Sequence, residues 1–174
     1  MLKRYLLPFI LFALLILQNG HADNVKPSQD NNEIEVFFSP KGGCTDAIIR
    51  ELSKAKENIR IQAYSFTSAP IAKAVVDANR NGIDTIVILD KSQKTSAYSS
   101  ADFLNHSGVP VLIDEKHKIA HNKIMIIDSN SVITGSFNFT KNAEEDNAEN
   151  LLIIHDANLA AKYLANWNIH AKHS

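Results

Sequence analysis

Beyond a polar stretch at residues 23–32, the chain switches repeatedly between two hydrophobic periods. Short runs rich in β-branched and aromatic residues at 34–38, 59–65, 85–89, 109–113 and 151–154 read as strands. The segments between them space their apolar residues three or four apart. Residues 45–58 place Ile48, Ile49, Leu52 and Ala55 on one face and predict an amphipathic helix. Residues 70–81 predict a second, with Pro70 at its start and Gly82 just past its end. Residues 98–106, closed by Gly108, predict a third. Residues 157–170 predict a last helix with Leu159, Tyr163, Leu164 and Trp167 along one side. Such a stripe is expected to pack on a sheet, with lipid binding as the alternative.

One stretch departs from the alternation. The apolar run at 124–127 and the run at 131–134 are separated by Asp128, Ser129 and Asn130, all turn formers, and this predicts a β-hairpin. A two-residue loop at Ser129 and Asn130 would set Lys123 opposite Ser136 and His121 opposite Asn138. Side chains alternate along a strand, so these four polar groups would meet at the open end of the hairpin. An odd-length loop would shift that register. Asp128 would point the other way, and reads as a turn and hydrogen-bonding residue first and a catalytic one second. Its carboxylate is expected to bond the backbone N–H groups just ahead of it.

Strands alternating with helices predict an α/β fold, with the hairpin making the sheet mixed, flanked by helices. Residues 33–174 suffice for one domain with its own core, without internal repeats. Residues 1–22 read as a signal peptide: Lys3 and Arg4 precede thirteen apolar residues, and small residues stand at Gly20 and Ala22. An uncleaved anchor is the alternative. Cleavage implies a periplasmic or secreted protein with a flexible segment at 23–32 and no stable membrane association.

Charge narrows the picture further. The chain carries a formal −1, and loss of the leader would remove two cations and no acid. A protein that coats nucleic acid is strongly basic, so any positive groove must be local. Lys116, His117, Lys118 and Lys123 cluster beside the hairpin, with Lys91 and Lys94 in a separate loop, where scattered solvated lysines are an equal reading. Cys44 is the only cysteine, so no internal disulfide is available; it is expected to be a small buried residue, an intermolecular disulfide being the alternative.

The candidate chemistry lies in the pattern H-x-K-x4-D-x6-G-S-x-N, from His121 through Lys123, Asp128, Gly135 and Ser136 to Asn138. A neutral imidazole can attack phosphorus, lysine can neutralise non-bridging oxygens, and Asn and Ser can donate hydrogen bonds to them. Fixed donors of this kind suit a phosphodiester without a metal or other cofactor. His117 and His121 have a spacing that binds zinc on a helix, but their surroundings read as strand, so no metal site is expected there. His170 and His173 are expected at the surface of a fraying end.

These residues closely resemble the phospholipase D superfamily, in its bacterial single-motif endonuclease branch. Residues 36–40, 61–67 and 87–93 extend the resemblance over roughly the whole mature chain. The resemblance implies His121 as a nucleophile that forms a phosphohistidine, with a second copy of the same His protonating the leaving oxygen. It implies Lys123 and Asn138 as phosphate ligands, Ser136 as their support, and a downstream glutamate that hydrogen-bonds and orients the His. Glu149 opens a strand and is the expected orienting residue; Glu144 and Glu145, in what reads as loop, are the alternatives.

One imidazole cannot be neutral for attack and protonated for donation in the same step. A single motif per chain therefore implies a homodimer with a shared site. The expected activity is a metal-independent endonuclease on DNA, with RNA left open. A phospholipase D acting on lipid head groups is the runner-up. A non-catalytic nucleic-acid-binding module is the third reading, disfavoured by so complete a set of reactive groups.

Overall fold

The structure is a computed structural model and describes residues 33–96 and 99–174. The expected signal peptide and flexible segment lie outside the described residues, as does Tyr98, where the third helix was expected to begin.

Seven strands form one mixed sheet in the order β1-β7-β6-β5-β2-β3-β4. They are β1 (Ile34–Ser39), β2 (Asn58–Ala63), β3 (Asp84–Asp90), β4 (Val111–Asp114), β5 (Lys123–Ile127), β6 (Ser131–Gly135) and β7 (Glu149–His155). β2, β3 and β4 run parallel, and the remaining pairings are antiparallel. Helices α1 (Cys44–Lys54), α2 (Ala69–Arg80) and α3 (Ala101–His106) share one core with one sheet face. Ile61, Leu89, Met125 and Ile133 supply the sheet side of that core, and Ile48, Leu52, Ile71 and Val75 the helix side. On the other face, α5 (Ala157–Ala171) packs Leu159, Tyr163, Leu164 and Trp167 on Ile88, Ile126 and Val132. Its stripe is therefore core, as its helical spacing suggested. Among the described residues no helix is long and apolar enough to cross a membrane.

The helix ends follow local chemistry. Pro70 lies in the first turn of α2, where a missing N–H costs nothing. Asp156 caps α5 by accepting from the N–H groups of Asn158 and Leu159. A short helix, α4 (Lys141–Glu145), occupies a region that reads as loop in the sequence. Thr140 caps it by accepting from Ala143 N–H, a single local bond that no hydrophobic period announces.

The hairpin register differs from expectation. Met125 pairs with Ile133 and Ile127 with Ser131, so the loop has three residues, Asp128 to Asn130. Asp128 and Ser129 both take left-handed backbone angles, each with φ of 52°. Turn formers tolerate that conformation; the pair forms a tight turn closed by Asn130 N–H on the Ile127 carbonyl at 3.0 Å, and Asn130 is the extra residue before Ser131. Continued along the strands, this register sets Lys123 opposite Gly135 rather than Ser136.

A bulge corrects the consequence. Ser136 and Phe137 both donate their N–H to the Asn150 carbonyl, at 3.1 and 3.3 Å, so two residues oppose one. Gly135, with φ of 148°, makes the bend, and a Cβ there would lie 2.2 Å from the Asn150 carbonyl oxygen. Ser136 is thereby turned toward the site by a mechanism other than the pairing the sequence suggested.

Candidate active site

The strand directions bring the carboxyl ends of β1, β2, β3 and β6 and the amino ends of β5 and β7 to one end of the sheet. Open α/β sheets bind ligands at such an end, where backbone leaves the ladder and side chains are free to converge. The segment before β5 is tied down at two points. Ala120 N–H donates to Asp90 Oδ2 at 2.7 Å, and Asn122 accepts from Tyr64 N–H at 2.8 Å. His121 sits between these anchors and is exposed.

Lys123 is buried, and its Nζ donates to the His121 carbonyl at 2.9 Å and to His121 Nδ1 at 3.1 Å. Burial lowers its pKa from the ordinary lysine value, and the nearby Glu149 carboxylate partly restores it. Tyr64 completes the environment, its ring 4.6 Å from the imidazole and 5.3 Å from the ammonium.

An ammonium can only donate, so in this state the neutral imidazole keeps its proton on Nε2. That tautomer can donate a hydrogen bond to a phosphate oxygen; protonating a leaving group takes the imidazolium, with Nδ1 also carrying a proton. Attack through Nε2 needs the other tautomer, with Nδ1 protonated, and hence Lys123 turned toward the substrate.

Glu149 is half-buried beside this pair. It accepts from Ser136 Oγ at 2.5 Å and from Asn147 Nδ2 at 3.1 Å, and its N–H donates to Ser39 Oγ. It makes no hydrogen bond to His121, contrary to the orienting contact the resemblance implies. Ser136 and Asn147 occupy the two carboxylate oxygens. The other two carboxylates are placed elsewhere. Glu144 accepts from Gly43 and Thr45 N–H at the start of α1, and Glu145 pairs with Lys141 at 3.4 Å.

Asn138 follows the bulge on a loop anchored by buried Phe137 and Phe139. Phe139 packs edge-on against Phe66, and its carbonyl accepts from Thr67 and Ser68 N–H. Asn138 Oδ1 is buried without a hydrogen-bond partner. It lines a cleft of about 500 Å³ with Tyr64, Thr140, Lys141, Asn142 and Asn147. The structure thus gathers His121, Lys123, Ser136, Asn138 and Glu149 at one end of the sheet.

Asp128 is not among them. It lies at the far end of β5, where its carboxylate accepts from Lys56, Glu57 and Asn58 N–H at 2.8–3.0 Å. Lys56 and Glu57 belong to the α1–β2 connection and Asn58 opens β2, the strand paired with β5, so none of these amides lies just ahead of Asp128 in the chain. Asp128 staples that connection to the hairpin.

One other expectation changes and one holds. Lys91 donates to the His117 carbonyl and Lys94 pairs with Glu115, so their loop docks on residues 115–118 and is not separate from it. Cys44 is buried as expected, and burial, reinforced by the Glu144 charge, pushes its thiol up to about 11.

Sequence reasoning missed Asp90, Tyr64 and Asn147 as parts of the site. Asp90 and Tyr64 lie in segments that resemble the family, and their polarity at the ends of apolar strands was the available signal. Asp90 is buried; two backbone N–H bonds hold its carboxyl below the usual carboxylate range despite the opposing effect of burial.

Comparison with known proteins agrees with this geometry. A family profile described as cardiolipin synthase, PLD-like domain, matches residues 48–169. The phospholipase D of Rickettsia conorii is 41% identical over 155 residues, covering 89% of this chain and 76% of that protein. Among solved structures, Nuc of Salmonella typhimurium, a phospholipase D family member, aligns with a TM-score of 0.78 and 36% identity. That alignment covers 82% of this chain and 95% of Nuc. NucT from Helicobacter pylori aligns with a TM-score of 0.74 and 27% identity, over 82% of this chain and 97% of NucT.

Proposed function

This chain belongs to the phospholipase D superfamily, and from that premise we propose that it is an exported endonuclease. It cleaves the phosphodiester backbone of DNA, with RNA as a further substrate, at a site shared by two chains. Hydrolysis of a phosphodiester bond is the activity the family supports; the finer reading rests on the cleft. Its walls beside Asn138 are amide, hydroxyl and ammonium groups. These groups offer hydrogen bonds and charge to the phosphates of a nucleic-acid backbone, and the Tyr64 ring adds an apolar face to the same cleft. The likeness to Nuc and NucT along nearly their whole lengths favours the same substrate class.

In the proposed reaction His121 Nε2 attacks phosphorus and displaces one bridging oxygen. The partner subunit's His121 gives that oxygen its proton. Water then attacks the phosphohistidine, passing a proton back to the partner's imidazole and freeing His121. Lys123, drawn off Nδ1 by the incoming phosphate, stabilises the negative charge, with Ser136 and Asn138 beside it. Glu149 exchanges its Ser136 or Asn147 hydrogen bond for one from Nδ1–H and so fixes the tautomer. Neither proton transfer nor charge stabilisation in this scheme calls for a metal ion.

An exposed apolar row supports the dimer. Ile34, Val36 and Phe38 alternate along edge strand β1, Phe38 being 66% exposed. Phe38 pairs with Asn150, one residue from Glu149, so the row runs up to the site. A second chain covering this row would bury it beside Glu149, at the end of the sheet that carries His121.

The Rickettsia relative named phospholipase D favours the alternative, hydrolysis of phospholipid head groups, and one experiment separates the two. The mature protein is incubated with plasmid DNA, RNA and phosphatidylcholine vesicles, with and without EDTA. DNA cleavage that survives EDTA is expected. Choline release without DNA nicking would establish the lipid reading. Loss on chelation with recovery by magnesium would overturn the mechanism.

A further inference from the structure

A second polar cluster lies at the outer edge of the same sheet end, and the proposed reaction does not use it. Asp114, the last residue of β4, is fully buried. Three histidines surround its carboxylate: His117 from the loop that follows, and His170 and His173 from the end of α5. His117 Nδ1 and His170 Nδ1 lie 3.0 and 2.8 Å from Asp114 Oδ2, and His173 Nε2 lies 3.6 Å from Oδ1. The imidazole rings stand 4.8–5.4 Å apart around that carboxylate. His170 and His173 are only 15% and 18% exposed, so they are not the surface residues of a fraying end.

We propose that Asp114, His117, His170 and His173 bind one zinc ion that staples the end of α5 to the loop leading to His121. The four ligand atoms all lie within 4.8 Å of one another. Tetrahedral zinc holds nitrogen and oxygen ligands at roughly 2.0–2.2 Å, so its ligand atoms stand roughly 3.3–3.6 Å apart. Small side-chain shifts reach that arrangement. Three neutral imidazoles and one carboxylate are a closed, four-protein-ligand set with no position reserved for substrate, which is the pattern of a structural site.

The metal-free hydrogen bonds fall short of satisfying these groups. Asp114 Oδ1 already accepts from Lys116 and His117 N–H, at 3.1 and 3.3 Å. His173 Nε2 is left buried without a hydrogen-bond partner. A cation at the centre would use that nitrogen and the carboxylate together. A second cluster of Glu35, Glu51 and His155 shows the contrast: Arg50 and Lys54 already neutralise its carboxylates.

The link to the active site is short, through the loop from Asp114 to His121 and through Asp90. Asp114 pairs in register with Asp90, and Asp90 holds Ala120, the neighbour of His121. The ion would close one end of a loop whose other end carries the proposed nucleophile.

The test uses the untagged mature chain, stripped by chelator and dialysed. Zinc is titrated against a chromophoric competitor, and cobalt(II) is added separately for its visible bands. One zinc per chain, cobalt bands of tetrahedral intensity and a zinc-dependent rise in melting temperature are expected. His173→Ala, at the helix end, should weaken zinc by more than the roughly 10–100-fold that outer-shell partners cost, and abolish the cobalt bands. His155→Ala and His121→Ala should bind zinc as the wild type does. The proposal fails if the wild type takes up no stoichiometric zinc, if the His173→Ala and His170→Ala chains bind it unchanged, or if His121→Ala removes it. Asp114→Asn is a further check; should it fail to fold, His173→Ala still decides.

Discussion

The two ends of the β5–β6 hairpin carry residues of one sequence motif and behave in opposite ways. At the turn, Asp128 is saturated by three backbone N–H groups of residues 56–58. At the open end, Lys123 is buried against an imidazole and a carbonyl, Asn138 Oδ1 has no partner, and His121 is exposed. A polar group whose hydrogen bonds are all met within the fold stabilises it. A group held rigidly with bonds unmet is poised for a ligand, and the protein tolerates the cost. Membership of a motif therefore does not assign a role: the Asp128 carboxylate is committed to backbone amides at the turn, while His121 stays exposed at the open end.

The severest test of the open end concerns its incompleteness. Tagged wild-type and His121→Ala chains are co-expressed and the mixed dimer is purified. With a shared site the mixed dimer lacks either nucleophile or acid, so DNA cleavage should fall far below half of wild type. Independent sites would leave about half. Half activity, or a fully active monomer in sedimentation, would break the shared-site reading.

Replacing one residue at each end sharpens the contrast. Lys123→Ala should lower turnover ~10²–10³-fold with the melting temperature kept, since it removes charge from the reacting phosphate. Asp128→Ala should do the reverse, losing about 1–3 kcal/mol of stability with turnover kept below the melting range. Denaturant melts and initial rates on the same preparations measure both. A catalytic loss in folded Asp128→Ala protein would return Asp128 to the site.

The smallest expected effect separates the carboxylates. Glu149→Gln should reduce the rate less than loss of His121 does, by leaving the imidazole tautomer unfixed. Glu144→Gln should lower stability, because it weakens the acceptor for two N–H groups at the start of α1, and leave the rate unchanged. A larger rate loss from Glu144→Gln would mean that the wrong glutamate has been placed in the site.

Hydrophobic periodicity by itself determined the strands and the longer helices, though not the short helix α4. Strand and helix positions in this chain follow apolar residues at spacings of two or three to four, and burial rewards those spacings wherever the partner layer lies. The α/β alternation, the α5 stripe and the candidate residues His121, Lys123, Ser136, Asn138 and Glu149 were legible for that reason, or through the family resemblance their order carries. Register was not. Whether Asp128 and Ser129 both adopt left-handed angles depends on the amides of residues 56–58, which reach the turn only after β2 has paired with β5. The bulge at Ser136 likewise depends on the Asn150 carbonyl of β7. The Asp114 histidine cluster is the extreme case. Its two halves sit at opposite ends of the long segment between β4 and the last turn of α5, and neither carries a local signal. Only packing of α5 across the sheet brings them together, because side-chain convergence between distant segments is a property of the layers and not of any window of sequence.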